Sequence, residues 1–254
     1  MASTQETGNA KNVDNFQKLI SFIQGYGAAY NPSKTTLQIP QLQTLYANAQ
    51  ASLANVVAEN AVYNTAVNDR QVAFSGLKTL ATRLINALQT TNASAQLIND
   101  AKGFNRKIQG QRVSAISPIN PDTPAPKTIS TSQQSYTQQI QHLVGLIAVL
   151  ESEVSYTPNE TNLQIGTLQA KQTDLASKNT EVIIAYTNVS NARIARNATL
   201  YTNVDSIYEV AADVKKYIKS IFGATSAEYA QVKGLAFRKP TNVKTASGTT
   251  ILPT

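Results

Sequence analysis

The chain has 254 residues, of which 42% are hydrophobic, with no cysteine, a single histidine and a net charge of +7. That length suffices for a buried core, and the lack of cysteine excludes disulfides, thiolate metal sites and cysteine nucleophiles. The 22 Lys/Arg and 15 Asp/Glu are outnumbered by 43 Asn and Gln, so the polar faces are mostly amide and hydroxyl rather than ionic.

Charge is unevenly spread. Residues 15–113 carry nine Lys/Arg against three Asp/Glu, and residues 131–240 carry ten against nine. A basic half attracts anionic partners or is simply a solvated face. The opening Met1-Ala2-Ser3-Thr4-Gln5-Glu6 lacks the basic-then-apolar order of a secretory leader. The longest apolar run, Leu143 to Leu150, falls short of the roughly 20 residues that span a bilayer. A cytoplasmic location is expected.

In chain order, a first helix is predicted over about 13–27, ended by the turn Asn31-Pro32-Ser33. A long helix follows over about 40–90. Its apolar residues recur at alternating spacings of three and four: Leu42, Tyr46, Ala49, Leu53, Val56, then Tyr63, Val67, Phe74, Leu77, Ala81, Leu84 and Leu88, with Asn60 and Arg70 interrupting. A short amphipathic helix is expected near 93–107. Residues 114–130 contain Pro118, Pro121, Pro124 and Pro126 and read as an extended linker. The second half then runs through a helix at about 131–154, the turn Thr157-Pro158-Asn159, a long helix at about 162–222 and a short helix near 225–233. The second long helix carries Leu200, Val204, Ile207, Ala211, Val214, Ile218 and Ile221 on its stripe. Phe222-Gly223-Ala224-Thr225-Ser226 reads as a helix stop followed by a new N-cap. Residues 239–254 lack periodicity and read as a flexible tail.

The two halves resemble each other. Tyr30, Pro32, Leu37, Gln38, Ile39, Leu42 and Gln43 recur as Tyr156, Pro158, Leu163, Gln164, Ile165, Leu168 and Gln169, at an offset of 126. The same offset places Val56 on Val182, Ala66 on Ala192 and Arg70 on Arg196. Upstream, Phe16, Leu19, Ile20 and Ile23 fall on Leu143, Leu146, Ile147 and Leu150 at offset 127. Later, Ala101-Lys102-Gly103-Phe104 resembles Val232-Lys233-Gly234-Leu235. The expected organisation is therefore a first helical-hairpin repeat (1–113), a Pro-rich linker (114–130), a second repeat (131–238) and a flexible tail (239–254), joined in one bundle. Helices of about 50 residues at about 1.5 Å per residue imply an elongated, all-α, antiparallel bundle.

Catalytic material is sparse. His142 has Gln139 rather than Glu three residues before it, which excludes the Glu-x-x-His pattern of carboxylate-bridged di-iron bundles. His142 reads as a packing or capping residue. Phosphate-cradling glycine loops are absent, and Glu151 and Glu153 do not share a helix face. No catalytic, cofactor-binding or metal-ligating residue is predicted, and no cofactor. The sharpest constellation is Asn60, Arg70, Arg193 and Arg196, polar groups at or beside the apolar stripe. Charge on a seam must be paired or hydrated, with Glu59, Asp69, Glu181 and nearby asparagines as partners. These residues read as a polar layer fixing helix register, or as an anion site or subunit contact. Lys215, Lys216 and Lys219, with Lys233, Arg238 and Lys239, form a basic end that suits a helix C-terminus.

Tyr156-Thr-Pro-Asn-Glu, Ser190-Asn-Ala-Arg-Ile-Ala-Arg-Asn and Lys215-Lys-Tyr-Ile-Lys-Ser-Ile-Phe-Gly-Ala-Thr-Ser resemble uncharacterised helical proteins of Bacteroidota bacteria. The resemblance covers most of the second repeat and, more loosely, the first. It implies a bacterial source and assigns no activity, cofactor or residue role. The sequence as a whole points to a non-enzymatic structural or interaction protein, self-assembly included, whose partner is another protein or a second copy. The rival readings are a membrane-active helical protein using Leu143–Leu150 and Val182–Tyr186, and a nucleic-acid binder using the basic first repeat.

Overall fold

A computed structural model describes residues 8–111 and 134–240, and among these the chain is all-helical with no strand. The predicted linker (114–130) and all but the first two residues of the predicted tail (239–254) lie outside the described residues. Among the described residues eight α-helices occur in order: α1 Asn9–Gly25, α2 Ile39–Ser75, α3 Leu77–Gln89, α4 Ala95–Gln109, α5 Tyr136–Glu151, α6 Ile165–Asn197, α7 Ile207–Phe222 and α8 Ala227–Lys233.

Each predicted long helix is divided. Gly76 separates α2 from α3 by a single residue, at a point where the missing side chain lowers helix propensity. The second division is wider. α6 passes into a π-turn, Ala198–Thr202, and Asn203 is extended at φ −71° and ψ 152°. Ser206 then caps α7, its side chain accepting from the Glu209 N–H. Val204, placed on the stripe by its spacing, falls in this break and is 94% exposed. Regular spacing continues through 198–206, but Ser206 starts a fresh helix, so the stripe loses its phase there.

The chain forms two compact units, and each takes residues from both halves of the sequence. Unit 1 contains residues 8–63 and 185–240, and unit 2 contains 64–111 and 134–184. The boundaries fall inside α2 and α6.

In unit 1, α1 packs against α7 and α8. Val13, Phe16, Leu19, Ile20 and Ile23 of α1 join Ile207, Val210, Ala211, Val214 and Ile218 of α7 in one core. In unit 2, α5 packs against α4, and α4 against α3. Ile140, Leu143, Leu146, Ile147 and Leu150 of α5 meet Leu77, Ala81, Leu84, Ile85 and Leu88 of α3 in the second core. The buried sets are matched in spacing. Val13, Phe16, Leu19, Ile20 and Ile23 correspond to Ile140, Leu143, Leu146, Ile147 and Leu150 at offset 127, and Leu77, Ala81, Leu84 and Leu88 to Ile207, Ala211, Val214 and Ile218 at offset 130.

The entry to each longer helix is built alike. Short 3-10 turns, Thr35–Leu37 and Thr161–Leu163, precede α2 and α6. The residues before them, Lys34 and Glu160, share nearly the same backbone angles (φ −70°, ψ 113° and φ −69°, ψ 113°). The buried Tyr30 hydroxyl donates to the Leu37 carbonyl at 2.7 Å, and Tyr156 donates to Leu163 at 2.9 Å. Burial raises both phenol pKa values, that of Tyr156 to about 12, so both remain hydrogen-bond donors at any physiological pH.

On the apolar run of α5, Leu143, Leu146, Ile147 and Leu150 are buried, as are Val182 and Ala185 of the second patch, whereas Val144, Ile183, Ile184 and Tyr186 are exposed. Among the described residues no helix is long and apolar enough to cross a membrane. At the centre of α5, Gly145 lies against the Phe104 ring of α4, and a Cβ there would overlap ring atoms directly. Gly145→Ala should therefore cost about 1–3 kcal/mol through overpacking, measured by chemical denaturation. Phe104→Leu in the same chain should recover part of the loss, and a neutral Gly145→Ala would refute the contact.

Candidate functional site

The four residues singled out by the stripe are distributed over both units. In unit 1, Arg193 Nη2 donates to Asn60 Oδ1 at 3.2 Å, while Asn60 Nδ2 donates to the Val56 carbonyl one turn back at 2.7 Å. Beside them the Tyr63 and Tyr186 rings pack with centroids 6.0 Å apart. Arg196 donates through Nε and Nη2 to Asn197 Oδ1 at 3.2 and 2.9 Å, and burial lowers its pKa.

In unit 2, Arg70 Nη1 donates to Asn179 Oδ1 at 3.0 Å, and the guanidinium sits 4.0 Å from the Tyr136 ring centroid. Phe74 meets the same ring edge-on at 4.8 Å. The buried Arg70 Nε has no hydrogen-bond partner among the described residues. None of the three arginines makes an ion pair with Glu59, Asp69 or Glu181 among the described residues; Glu181 instead accepts from Lys178 at 2.8 Å. Amide oxygens and a π-face therefore meet these charges. Arg70 and Arg196 are partly buried and Arg193 is exposed, and a stacked guanidinium such as that of Arg70 keeps its edge free for hydrogen bonds.

A more strongly built feature was not visible in the sequence. After α8 the chain runs over α1, and residues 235–238 are held there through their backbone. Asn12, buried on α1, donates to the Arg238 carbonyl at 2.8 Å and accepts from the Arg238 N–H at 3.1 Å. Asn12 also donates to the Tyr201 hydroxyl at 3.0 Å, and Tyr201 in turn donates to Asn9 Oδ1 at 2.6 Å. One turn along, Asn15 donates to the Ala236 carbonyl at 2.8 Å. The π-turn has a use here, since the consecutive side chains of Leu200 and Tyr201 are both buried.

Lys215, half-buried on α7, donates to the Leu235 carbonyl and lies 5.1 Å from the Phe237 ring; burial lowers its pKa. Phe237 meets Phe16 edge-on at 6.5 Å. Much of the predicted basic end is thus engaged internally. Lys216 pairs with Asp213 at 3.1 Å, and Lys219 lies 5.9 Å from the Tyr229 ring. His142 is buried on α5 at the position matching Asn15.

Asp213 ties α7 to the turn at 35–37, accepting from Lys34 at 2.7 Å as well as from Lys216. Lys34 first, then Lys216, holds its carboxyl below the ordinary value of 3.8. Among the described residues no group of three or more His, Asp or Glu is placed to hold a metal ion. No protein-family model matches the sequence, and no curated protein or solved structure is similar enough to count as a match.

Two expectations follow from this geometry. Asn12→Ala leaves the Arg238 backbone groups without their partner and should cost about 1–3 kcal/mol. Hydrogen exchange at 235–238 should quicken in the variant, and unchanged exchange would show that the asparagine does not hold the segment. For Asp213 the depressed folded pKa means that its ion pairs stabilise the protein above pH about 4 and that this contribution is lost as pH falls further. Asp213→Asn should thus lower the melting temperature at neutral pH, and its difference from the wild type should shrink as pH falls through the depressed folded pKa of Asp213.

Proposed function

We propose that the chain is a non-enzymatic structural or interaction protein, built from two tandem helical-hairpin repeats, that works by docking helix faces, including those of further copies of itself. The observation that carries this reading is the outer side of α2 in unit 1. Ala51, Ala54, Val57, Ala58, Ala61 and Val62 are all exposed and lie within an arc of about 140° on the helix. Val57 is 70% exposed and Val62 55% exposed, and no charged residue stands among the six. On α6 in the same unit, Ile194 is also 55% exposed.

Exposed helix faces are normally charged, and contiguous apolar patches mark contact surfaces. Alanine and valine offer low relief, which lets a second helix approach closely. The tandem-repeat part of the proposal is supported by the paired entry turns and by the equal spacing of the two buried sets. Under it, each repeat leaves its first helix to be covered by the terminal helices of the other.

The test is molar mass by light scattering across a wide range of protein concentration. The expected result is mass rising with concentration, and a Val57→Lys, Ile194→Lys double variant of unchanged helicity should remain monomeric. A wild-type chain that stays monomeric up to about 1 mM, a limit corresponding to roughly −4 kcal/mol of association free energy, would refute self-association.

A further inference from the structure

In unit 1 the segment 235–238 lies on α1 as a bound peptide would, gripped mainly through its backbone. Asn12 donates to the Arg238 carbonyl and accepts from the Arg238 N–H, Asn15 donates to the Ala236 carbonyl, and Lys215 donates to the Leu235 carbonyl. Side chains alternate along the segment. Leu235 and Phe237 are partly buried against the core, whereas Ala236 and Arg238 are exposed. The core therefore reads two side chains, two residues apart, as on one face of a strand.

The matching place in unit 2 lacks this grip. At offset 127 Gln139 and His142 stand where α1 has Asn12 and Asn15, and at offset 130 Ile85 stands where α7 has Lys215. Gln139 donates to the Gln134 carbonyl at 2.9 Å, His142 and Ile85 are buried, and α4 lays Phe104 on α5. Of the two places, the one in unit 1 alone combines three side chains that bind an extended backbone. α8 is anchored separately from the segment. Val232 is buried, and the Tyr26 hydroxyl donates to the Glu228 carbonyl at 3.0 Å. Gly234 stands between α8 and the segment, so residues 235–238 can leave α1 without unseating the helix.

We propose that this surface of α1 and α7 is a docking site for an extended segment of another protein, one that carries a large aliphatic residue and an aromatic residue two positions later. Residues 235–238 are its resident and displaceable occupant. Main-chain hydrogen bonds give such a site affinity for an extended backbone, and contacts to alternate side chains select the sequence. The resident segment competes at the effective concentration of a short tether, about millimolar. A partner therefore enters when that segment is loosened, or when the partner itself binds more tightly. Docking here is independent of association through α2.

A fluorescent peptide of residues 234–240 is the probe, titrated into the full chain and followed by anisotropy. Phe237→Ala removes the anchor of the resident segment, and Arg238→Pro deletes the N–H that Asn12 accepts. Each variant, with helicity unchanged, should bind the peptide about tenfold or more tightly than the wild type does. Adding Asn12→Ala to the Phe237→Ala chain takes away a contact of the site itself and should weaken binding about tenfold. Phe237→Ala in the peptide should abolish binding. The proposal is overturned if neither loosened variant binds saturably up to about 1 mM peptide, or if the wild type binds as tightly as both. It is equally overturned if the added Asn12→Ala changes nothing, or if the peptide lacking the phenylalanine binds as well.

Discussion

The structure depends on covering two apolar helix faces that cannot be left in water. α1 and α5 each bury a stripe of five large aliphatic or aromatic residues, worth about 1.5–3 kcal/mol for each large side chain removed from solvent. In both units the cover is supplied from the other half of the sequence: α7 and α8 for α1, α4 and α3 for α5. Neither half completes its own core. This accounts for α2 and α6, each of which begins in one unit and ends in the other. It also gives the entry turns their weight, because Tyr30 and Tyr156 lock the backbone where the chain leaves the first helix and starts the longer one.

Within similar frames the halves differ where the core does not constrain them. α4 runs for 15 residues and places Phe104 against Gly145. α8 stops after seven, and the chain continues as an extended segment that places Phe237 against Phe16. Each of the two helices thus receives an aromatic ring by a different route, one helical and one extended. The extended route needs a partner for backbone groups no longer bonded within a helix, and Asn12 and Asn15 supply it. Unit 2 uses the helical route and needs room for a ring beside α5, which Gly145 provides.

The amide-rich composition finds its use at these places. Arg70, Arg193 and Arg196 are each met by an asparagine oxygen, and residues 236 and 238 are held by asparagine side chains. Amides satisfy buried donors and acceptors without the desolvation cost of a second charge. They also carry both a donor and an acceptor, which lets Asn12 bond the N–H and the carbonyl of one residue at once.

The all-helical character, the stop and restart at Gly223 and Ser226, and the apolar faces of α1, α5, α3 and α7 were legible in sequence, because helical periodicity and capping are local properties. Matched spacing also pointed to the likeness of the paired turns and buried stripes. The interruption at 198–206 was not legible, since Val204 continues the period that Ser206 breaks. Asn12 and Asn15 gave no signal among so many amides. Which half covers which helix, and which arginine meets which asparagine, follow only from the folded chain. An apolar stripe states that it must be buried but not by what, and partners 100 or more residues apart are chosen by packing that no local pattern records.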